Sequence, residues 1–199
     1  MRYCILDLSD IGGSSVRVIT GQKRGMKLLS PAEDAPIRPT SDRTKESVFN
    51  LIHEGIDGTF LDLFSGSGQM GIEALSRGAE KAVFCDNNRD AIELTKANLK
   101  KTGFTNYSVF YGDYRKYLKT TTEKFDIIFI DPPYDRGLAQ RALAVLGESG
   151  SCLKDGGTVI VECKYIENLP EEEGRLYLAD RRKYGIASVH IYRIKEEVK

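Results

Sequence analysis

The chain has 199 residues, of which 41% are hydrophobic, so it can form one domain with a sizeable core. It carries 29 Lys and Arg residues against 29 Asp and Glu. This balance excludes a uniformly basic nucleic-acid-binding surface but permits a local basic patch. Four cysteines, Cys4, Cys85, Cys152 and Cys163, show no C-x-x-C spacing, which indicates a reduced cytoplasmic protein without a zinc site. The sequence has neither a signal-peptide pattern nor an apolar run long enough to span a membrane.

The first segments predict a flexible extension followed by a basic arm. Residues 1–15 end in two glycines and two serines, which is typical of a linker, although the segment could instead add an edge strand. Within residues 16–37, two short alternating stretches predict a β-hairpin. The hairpin carries Arg17, Lys23, Arg24 and Lys27 and no acidic residue, so it is a candidate arm for contacting RNA phosphates. A solvated edge hairpin with protective lysines explains the same pattern equally well.

The main domain is predicted to span residues 38–199 and to begin with a helix. Thr40 or Ser41 would be its N-cap, and apolar residues follow at helical spacing. Arg38, Thr40 and Arg43 cluster at this helix start, where backbone N–H groups favour an anion such as an RNA phosphate. Ordinary capping beside a solvated arginine is the alternative.

A glycine-rich turn follows the first buried strand, which is predicted at residues 59–64. Gly66, Gly68 and Gly71 have the G-x-G-x-x-G spacing that precedes a helix in nucleoside-cofactor sites, so a dinucleotide is also considered. Asp86 ends the next predicted strand about 20 residues later, where an acidic residue binds a ribose diol. Alternatively, Asp86 caps the following helix, as Asn87 and Asn88 could also do.

Two further strands end in candidate site residues. A strand at residues 107–111 precedes Asp113, which is placed to accept a hydrogen bond from an adenine amino group or to cap the next helix. The apolar strand at residues 125–130 runs directly into Asp131-Pro132-Pro133-Tyr134. Asp131 and the Pro132 carbonyl could each accept one N–H of a planar exocyclic amine and free its lone pair, while Tyr134 stacks on the ring. A simple strand-to-loop turn is the alternative.

The remaining pattern predicts a helix at residues 138–146, a fifth buried strand at residues 158–163 and an antiparallel hairpin at residues 176–193. Alternation of strands and helices followed by a hairpin predicts an α/β fold of three layers. We expect a Rossmann-like, class I S-adenosylmethionine-dependent methyltransferase fold, because that fold combines a mostly parallel sheet of seven strands with a terminal antiparallel hairpin. The small N-terminal β-hairpin would be added to it.

The glycine loop and its surroundings resemble one family. Residues 61–68 and 71–78 are similar to the cofactor loop of the RsmD family, the bacterial 16S ribosomal RNA guanine-N(2) methyltransferases. The resemblance extends over residues 16–25, 38–49, 131–134 and 183–185, in the order found in the family. Since the family usually begins near Val16, residues 1–15 form an extension.

The resemblance implies an enzyme that methylates the 2-amino group of one guanine in 16S rRNA during 30S assembly. We also expect a monomer that uses no metal. It implies that Asp62, Gly66 and Gly68 hold the methionine part of S-adenosylmethionine, with Ser67 and Asn87 in the same site. Asp86 would bind the ribose and Asp113 the adenine. Asp131, Pro132 and Tyr134 would hold the flipped guanine.

Three other functions fit parts of the sequence. An adenine-N6 DNA methyltransferase shares the Asp-Pro-Pro-Tyr motif, but 199 residues leave little room for a target-recognition region. An NAD-dependent oxidoreductase would need a second catalytic domain, and neither His53 nor His190 has a suggestive partner. A non-catalytic RNA-binding assembly factor would not need the acidic residues that follow the strands.

Overall fold

The structure is a computed structural model that describes residues 16–30, 42–52, 56–134, 136–148 and 150–195. Within these residues it contains five helices and eight strands. In chain order they are α1 (Asp42–Leu51), β1 (Thr59–Asp62), α2 (Gln69–Arg77), β2 (Lys81–Asp86), α3 (Arg89–Thr102), β3 (Tyr107–Tyr111), α4 (Tyr114–Thr120), β4 (Phe125–Ile130), α5 (Leu138–Gly147), β5 (Leu153–Lys164), β6 (Glu172–Glu173), β7 (Leu176–Tyr184) and β8 (Ala187–Ile194).

All strands join one sheet in the order β3-β2-β1-β4-β5-β8-β7-β6. Strands β1 to β5 are parallel, and β8 pairs antiparallel with β5 and β7. This arrangement confirms the predicted class I methyltransferase fold. The sheet has eight strands rather than the predicted seven, because Glu172 and Glu173 pair with the start of β7. A two-residue acidic strand has no sequence pattern that distinguishes it from a loop.

The order of the parallel strands creates a crevice between β1 and β4. The chain moves outward from β1 to β2 and β3, and then returns to the other side of β1 as β4. Open α/β sheets bind ligands at such a switch point, outside the carboxyl ends of the strands. The fold therefore places a ligand site beside the residues that follow β1 and β4.

Alternating strand residues divide the core between the two faces of the sheet. Leu61 and Ile128 pack with residues of α4 and α5 such as Tyr117 and Leu143. On the opposite face, a second buried cluster combines strand residues with residues of α1, α2 and the N-terminal segment: Phe60, Phe84, Phe129, Val48, Leu75 and Val18. Helices on both faces of a sheet give the predicted three-layer sandwich. Among the described residues, no helix has the length and apolar character needed to cross a membrane.

The predicted N-terminal hairpin is present. The Val18 N–H donates to the Met26 carbonyl (3.0 Å), and the Leu28 N–H donates to the Val16 carbonyl (2.8 Å). Val16, Val18 and Leu28 are buried in the second core cluster, so the hairpin packs onto the domain. The predicted extension at residues 1–15 and the predicted boundary at residues 37 and 38 lie outside the described residues.

A buried carboxylate fixes the hairpin turn to α2. Glu73 is fully buried, and its carboxylate accepts hydrogen bonds from the backbone N–H groups of Ile19 (2.7 Å) and Thr20 (3.0 Å). Its Oε1 also accepts from Arg77 Nε (2.8 Å). Gly21 follows at φ +83°, and a Cβ there would lie 1.8 Å from the Ser76 carbonyl oxygen. Only glycine permits this close approach of hairpin and helix.

Candidate active site

Five carboxylates lie along the edge of the sheet where the parallel strands end. In sheet order they are Asp113, Asp86, Asp62, Asp131 and Glu162. Asp62 and Asp86 are the last residues of β1 and β2, Asp113 and Asp131 follow β3 and β4, and Glu162 is close to the end of β5. So many acidic groups on one edge favour a ligand with positive charge or several hydrogen-bond donors.

The glycine turn between β1 and α2 depends on two glycines. Gly66 and Gly68 have φ values of 54° and 77°, in the left-handed region where side chains are rarely tolerated. A Cβ at Gly68 would also approach Thr95 Cγ2 to 3.0 Å. Thr95 Oγ1 donates to the Gly66 carbonyl (3.0 Å), and Asn98 Nδ2 donates to the Ser67 carbonyl (2.9 Å). Side chains of α3 thus hold the turn in place.

Asp62 lies beneath this turn and is 2% exposed. Its Oδ2 accepts a hydrogen bond from the Gly71 N–H (3.0 Å) in the first turn of α2. The pKa of Asp62 is raised to about 7, chiefly by burial; the Gly71 hydrogen bond lowers it, and the negative charges of Asp131 and Asp86 add to the rise. The three carboxylates therefore interact, and a cation beside them would favour their charged forms.

Asp86 connects the glycine turn to the end of β2. Its Oδ2 accepts from the Gly66 N–H (3.0 Å), and its Oδ1 accepts from the Asn88 N–H (2.8 Å). Burial raises the pKa of Asp86, while its backbone hydrogen bonds lower it. Asn88, and not Asp86, is the N-cap of α3, because its side chain accepts from the Asp90 N–H (2.9 Å). The exposed Asn87 lies between them.

Asp113 caps α4 and pairs with a neighbouring arginine. Its Oδ1 accepts from the Arg115 backbone N–H (2.8 Å) and from Arg115 Nε (3.1 Å). These hydrogen bonds lower the pKa of Asp113 to about 2. The capping alternative is thus realised in this structure. Contact with an adenine stays a prediction, in which Asp113 would bind Arg115 and the ligand together.

The Asp-Pro-Pro-Tyr segment begins where β4 ends, as its two prolines predict. Pro132 is buried, Pro133 is exposed, and the side chains of Asp131 and Tyr134 are half-buried. Lys164, the last residue of β5, places its Nζ 5.9 Å from the centre of the Tyr134 ring. This distance permits a cation–π contact between the ends of β4 and β5.

Glu162 is a buried acidic residue to which the sequence analysis assigned no role. It is 5% exposed, and among the described residues its Oε2 has no hydrogen-bond partner. Burial raises its pKa to about 8, and the charge of Asp131 contributes in the same direction. One signal was visible in the sequence, since Glu162 interrupts the otherwise apolar run of β5.

The candidate RNA-contacting residues fall into two groups, those on the N-terminal hairpin and those at or before the start of α1. Arg17 and Arg24 are exposed on the hairpin, and Lys23 places its Nζ 5.8 Å from the Phe104 ring centre. Arg17 Nε also donates to Asp42 Oδ2 (3.0 Å) at the start of α1. Arg43 lies in the first turn of α1, but its side chain is outside the described part of the structure, as are Arg38 and Thr40.

Comparison with known proteins identifies the family. The family model described as Conserved hypothetical protein 95 matches residues 16–193. This chain belongs to that family. It is 39% identical over 183 residues to the YlbH protein of Bacillus subtilis, covering 89% of this chain and 98% of YlbH. It is 33% identical over 183 residues to ribosomal RNA small subunit methyltransferase D of Escherichia coli K12, covering 91% of each chain. The solved structure of the Escherichia coli yhhF protein has a TM-score of 0.80 and 31% identity, covering 92% of this chain and 99% of that chain.

These likenesses confirm the predicted RsmD family and the predicted enzyme class, an S-adenosylmethionine-dependent methyltransferase. The cofactor supplies a methyl group on a sulfonium cation, and the site suits such a group. Asp62 is a buried carboxylate that a nearby cation would stabilise, and Gly66 and Gly68 place no side chain between the backbone of the turn and a ligand. Among the described residues, no three His, Cys, Asp or Glu side chains lie together as a metal site.

Proposed function

We propose that this chain transfers a methyl group from S-adenosylmethionine to the 2-amino group of one guanine in 16S rRNA. The substrate would be a 30S assembly intermediate, and the enzyme would act in the cytoplasm as a monomer. The observation that carries the proposal is the position of Asp131, directly after β4 and beside the switch point, within electrostatic reach of Asp62. The match to small subunit methyltransferase D supports the choice of RNA.

The cofactor would lie across the ends of β1, β2 and β3. Asp62 and the turn containing Gly66, Ser67 and Gly68 would hold its methionine part, since this turn offers backbone groups beside a buried carboxylate. Asp86 would accept from the ribose hydroxyls, with Asn87 beside it, and Asp113 would accept from the adenine amino group. Asp86 already bonds the glycine turn, so ribose and turn would be held by one side chain.

The guanine would enter from the side of β4. Its 2-amino nitrogen is a weak nucleophile because the lone pair is delocalised into the ring. Asp131 would accept one amino hydrogen and the Pro132 carbonyl the other, which turns the nitrogen toward tetrahedral geometry. Tyr134 would stack on the base. Since the cofactor's methyl is already activated, we expect most of the rate to come from positioning these groups.

RNA would approach over two basic surfaces. The first is the hairpin with Arg17, Lys23 and Arg24. The second lies beside the site, where Lys183 Nζ is 3.7 Å from the centre of the Tyr165 ring. The Tyr165 N–H donates to the Ile186 carbonyl (2.8 Å), so the turn between β7 and β8 lies at the carboxyl end of β5. Exposed aromatic rings beside lysines suit unpaired bases and phosphates.

The proposal is tested with tritiated S-adenosylmethionine and small-subunit rRNA that lacks the methyl group, with mass mapping of the product. We expect one N(2)-methylguanine from the wild type. Asp131→Ala should lower kcat about hundredfold or more while S-adenosylhomocysteine binding is retained. Asp155→Ala is the matched control, because Asp155 is 97% exposed near the opposite edge of the sheet.

Two results contradict the proposal. Near-wild-type turnover by Asp131→Ala removes the assigned role of that carboxylate. Methyl incorporation into adenine of duplex DNA, without incorporation into RNA, shows the competing adenine-N6 activity instead.

A further inference from the structure

Glu162 occupies a position beside the proposed base site that needs an explanation. It is one residue beyond the last paired position of β4 and β5, where Ile130 is opposite Val161. Asp131 is one residue beyond the same position on β4, and its charge contributes to the raised pKa of Glu162. Adjacent strands lie about 4.8 Å apart, so the two carboxylates are close neighbours at the carboxyl edge of the sheet.

Two described neighbours of Glu162 in the sheet are apolar. On its far side Glu162 pairs with Val189 of β8, a buried member of the second core cluster. Two residues earlier on the same strand, Ile160 is buried in that cluster as well. Neither side chain can donate a hydrogen bond. Within the described residues, Glu162 Oε2 is therefore buried without a donor.

A buried carboxylate oxygen without a donor is costly, and native proteins rarely keep one without a reason. A ligand that brings an N–H group to this position would remove the cost. The ligand expected here is a guanine, so this step rests on the proposed function. Guanine has two adjacent donors on one edge, the ring N1–H and the 2-amino group, whereas adenine has a bare acceptor at N1.

We propose that Glu162 accepts the N1–H of the target guanine while Asp131 accepts from its 2-amino group. Glu162 is then a specificity-determining residue. Two carboxylates on neighbouring strands, Asp131 and Glu162, accept hydrogen bonds from two adjacent donors of one base. When Glu162 is charged, a base with an acceptor at N1 would leave the carboxylate without its donor and would place two lone pairs against each other. The hydrogen bond from N1–H also favours the charged form of Glu162, which burial by itself disfavours.

The test compares two bases at the methylated position of the rRNA. Guanine and 2,6-diaminopurine both carry a 2-amino group, but only guanine has N1–H. At a pH above 8, where Glu162 is charged, we expect the wild type to prefer guanine by about tenfold to hundredfold in kcat/KM, the discrimination expected of a paired base contact. In Glu162→Gln this preference should fall toward unity, because an amide can accept from N1–H or donate to a bare N1.

The measured quantity is a ratio within one enzyme preparation, so incomplete folding of Glu162→Gln cancels. Glu171→Gln is the matched control, since Glu171 is exposed and lies outside the site. An unchanged preference in Glu162→Gln, or a wild type that uses both bases equally well, overturns the role of Glu162 but leaves the proposed function intact. A wild type that methylates neither base overturns both.

Discussion

The contact between Glu73 and the N-terminal hairpin gives a sharp test of how the arm is held. Glu73→Ala removes the acceptor of two backbone N–H groups, those of Ile19 and Thr20. A hydrogen bond to a charged group contributes about 1.5–3 kcal/mol. Ile19 is half-buried and Thr20 is exposed, so the lower value applies to each bond. These two bonds contribute about 3 kcal/mol, and loss of the ion pair with Arg77 adds to this, so the free energy of unfolding should fall by about 3 kcal/mol or more.

Urea unfolding measures this loss, and amide hydrogen exchange at Ile19 and Thr20 shows whether the hairpin has detached. Glu73→Gln should lose about half as much, because one acceptor oxygen remains. Glu93→Ala is the control, since Glu93 is 56% exposed and its ion pair with Lys96 on α3 should contribute about 0.5 kcal/mol or less. If Glu73→Ala costs no more than Glu93→Ala, the hairpin is not held by this carboxylate.

Two further predictions concern the hairpin charges and the buried Asp62. Replacing Arg17, Lys23 and Arg24 with Gln should weaken RNA binding. The slope of log K against log salt concentration should become shallower by about 0.7–0.9 for each phosphate contact that is lost. An unchanged slope would show that the hairpin does not contact the RNA. The control neutralises three exposed lysines of α3: Lys96, Lys100 and Lys101. Asp62 keeps its proton to about pH 7 when folded but loses it near pH 4 when unfolded. The wild type should therefore lose stability as pH rises between these values. In urea unfolding, the free energy of unfolding of Asp62→Asn should increase relative to that of the wild type by up to about 1.4 kcal/mol per pH unit. If the difference in unfolding free energy between the two proteins is the same at pH 4 and at pH 7, the raised pKa is wrong.

Most of the sheet could be predicted because its signals are local. The predicted strands at residues 107–111 and 125–130 match β3 and β4 residue for residue. Pro132 and Pro133 end β4 because they have no N–H to donate to a neighbouring strand. Glycines form the turn before α2 because they tolerate positive φ. In both places the residue types alone determine the backbone geometry. β5 begins five residues earlier than predicted, at Leu153, because a register shift against β4 carries the pairing back across Gly156 and Gly157.

The parts that could not be predicted depend on contacts between distant residues. Glu73 has the position of an ordinary i,i+4 partner for Arg77, and nothing local shows that a hairpin more than 50 residues away supplies its other donors. Glu162 is likewise recognisable only once β5 lies beside Asp131. Asp113 could not be assigned for a different reason, because its local sequence pattern fits both a helix N-cap and a cofactor contact. The roles of the site residues therefore stay predictions.

The net charge of zero does not describe the local surface charge of this chain, because charges of opposite sign are separated in space. The balance of 29 basic and 29 acidic residues conceals an edge on which five strand ends carry carboxylates. That edge suits a cationic cofactor and the donor groups of a base, but it would repel RNA phosphates. The hairpin and the Lys183–Tyr165 pair supply the opposite charge. With screening over about 8 Å at physiological salt, phosphates can bind these basic surfaces while a single base reaches the acidic edge. This division of charge is compatible with the proposed substrate, a guanine flipped out of its strand.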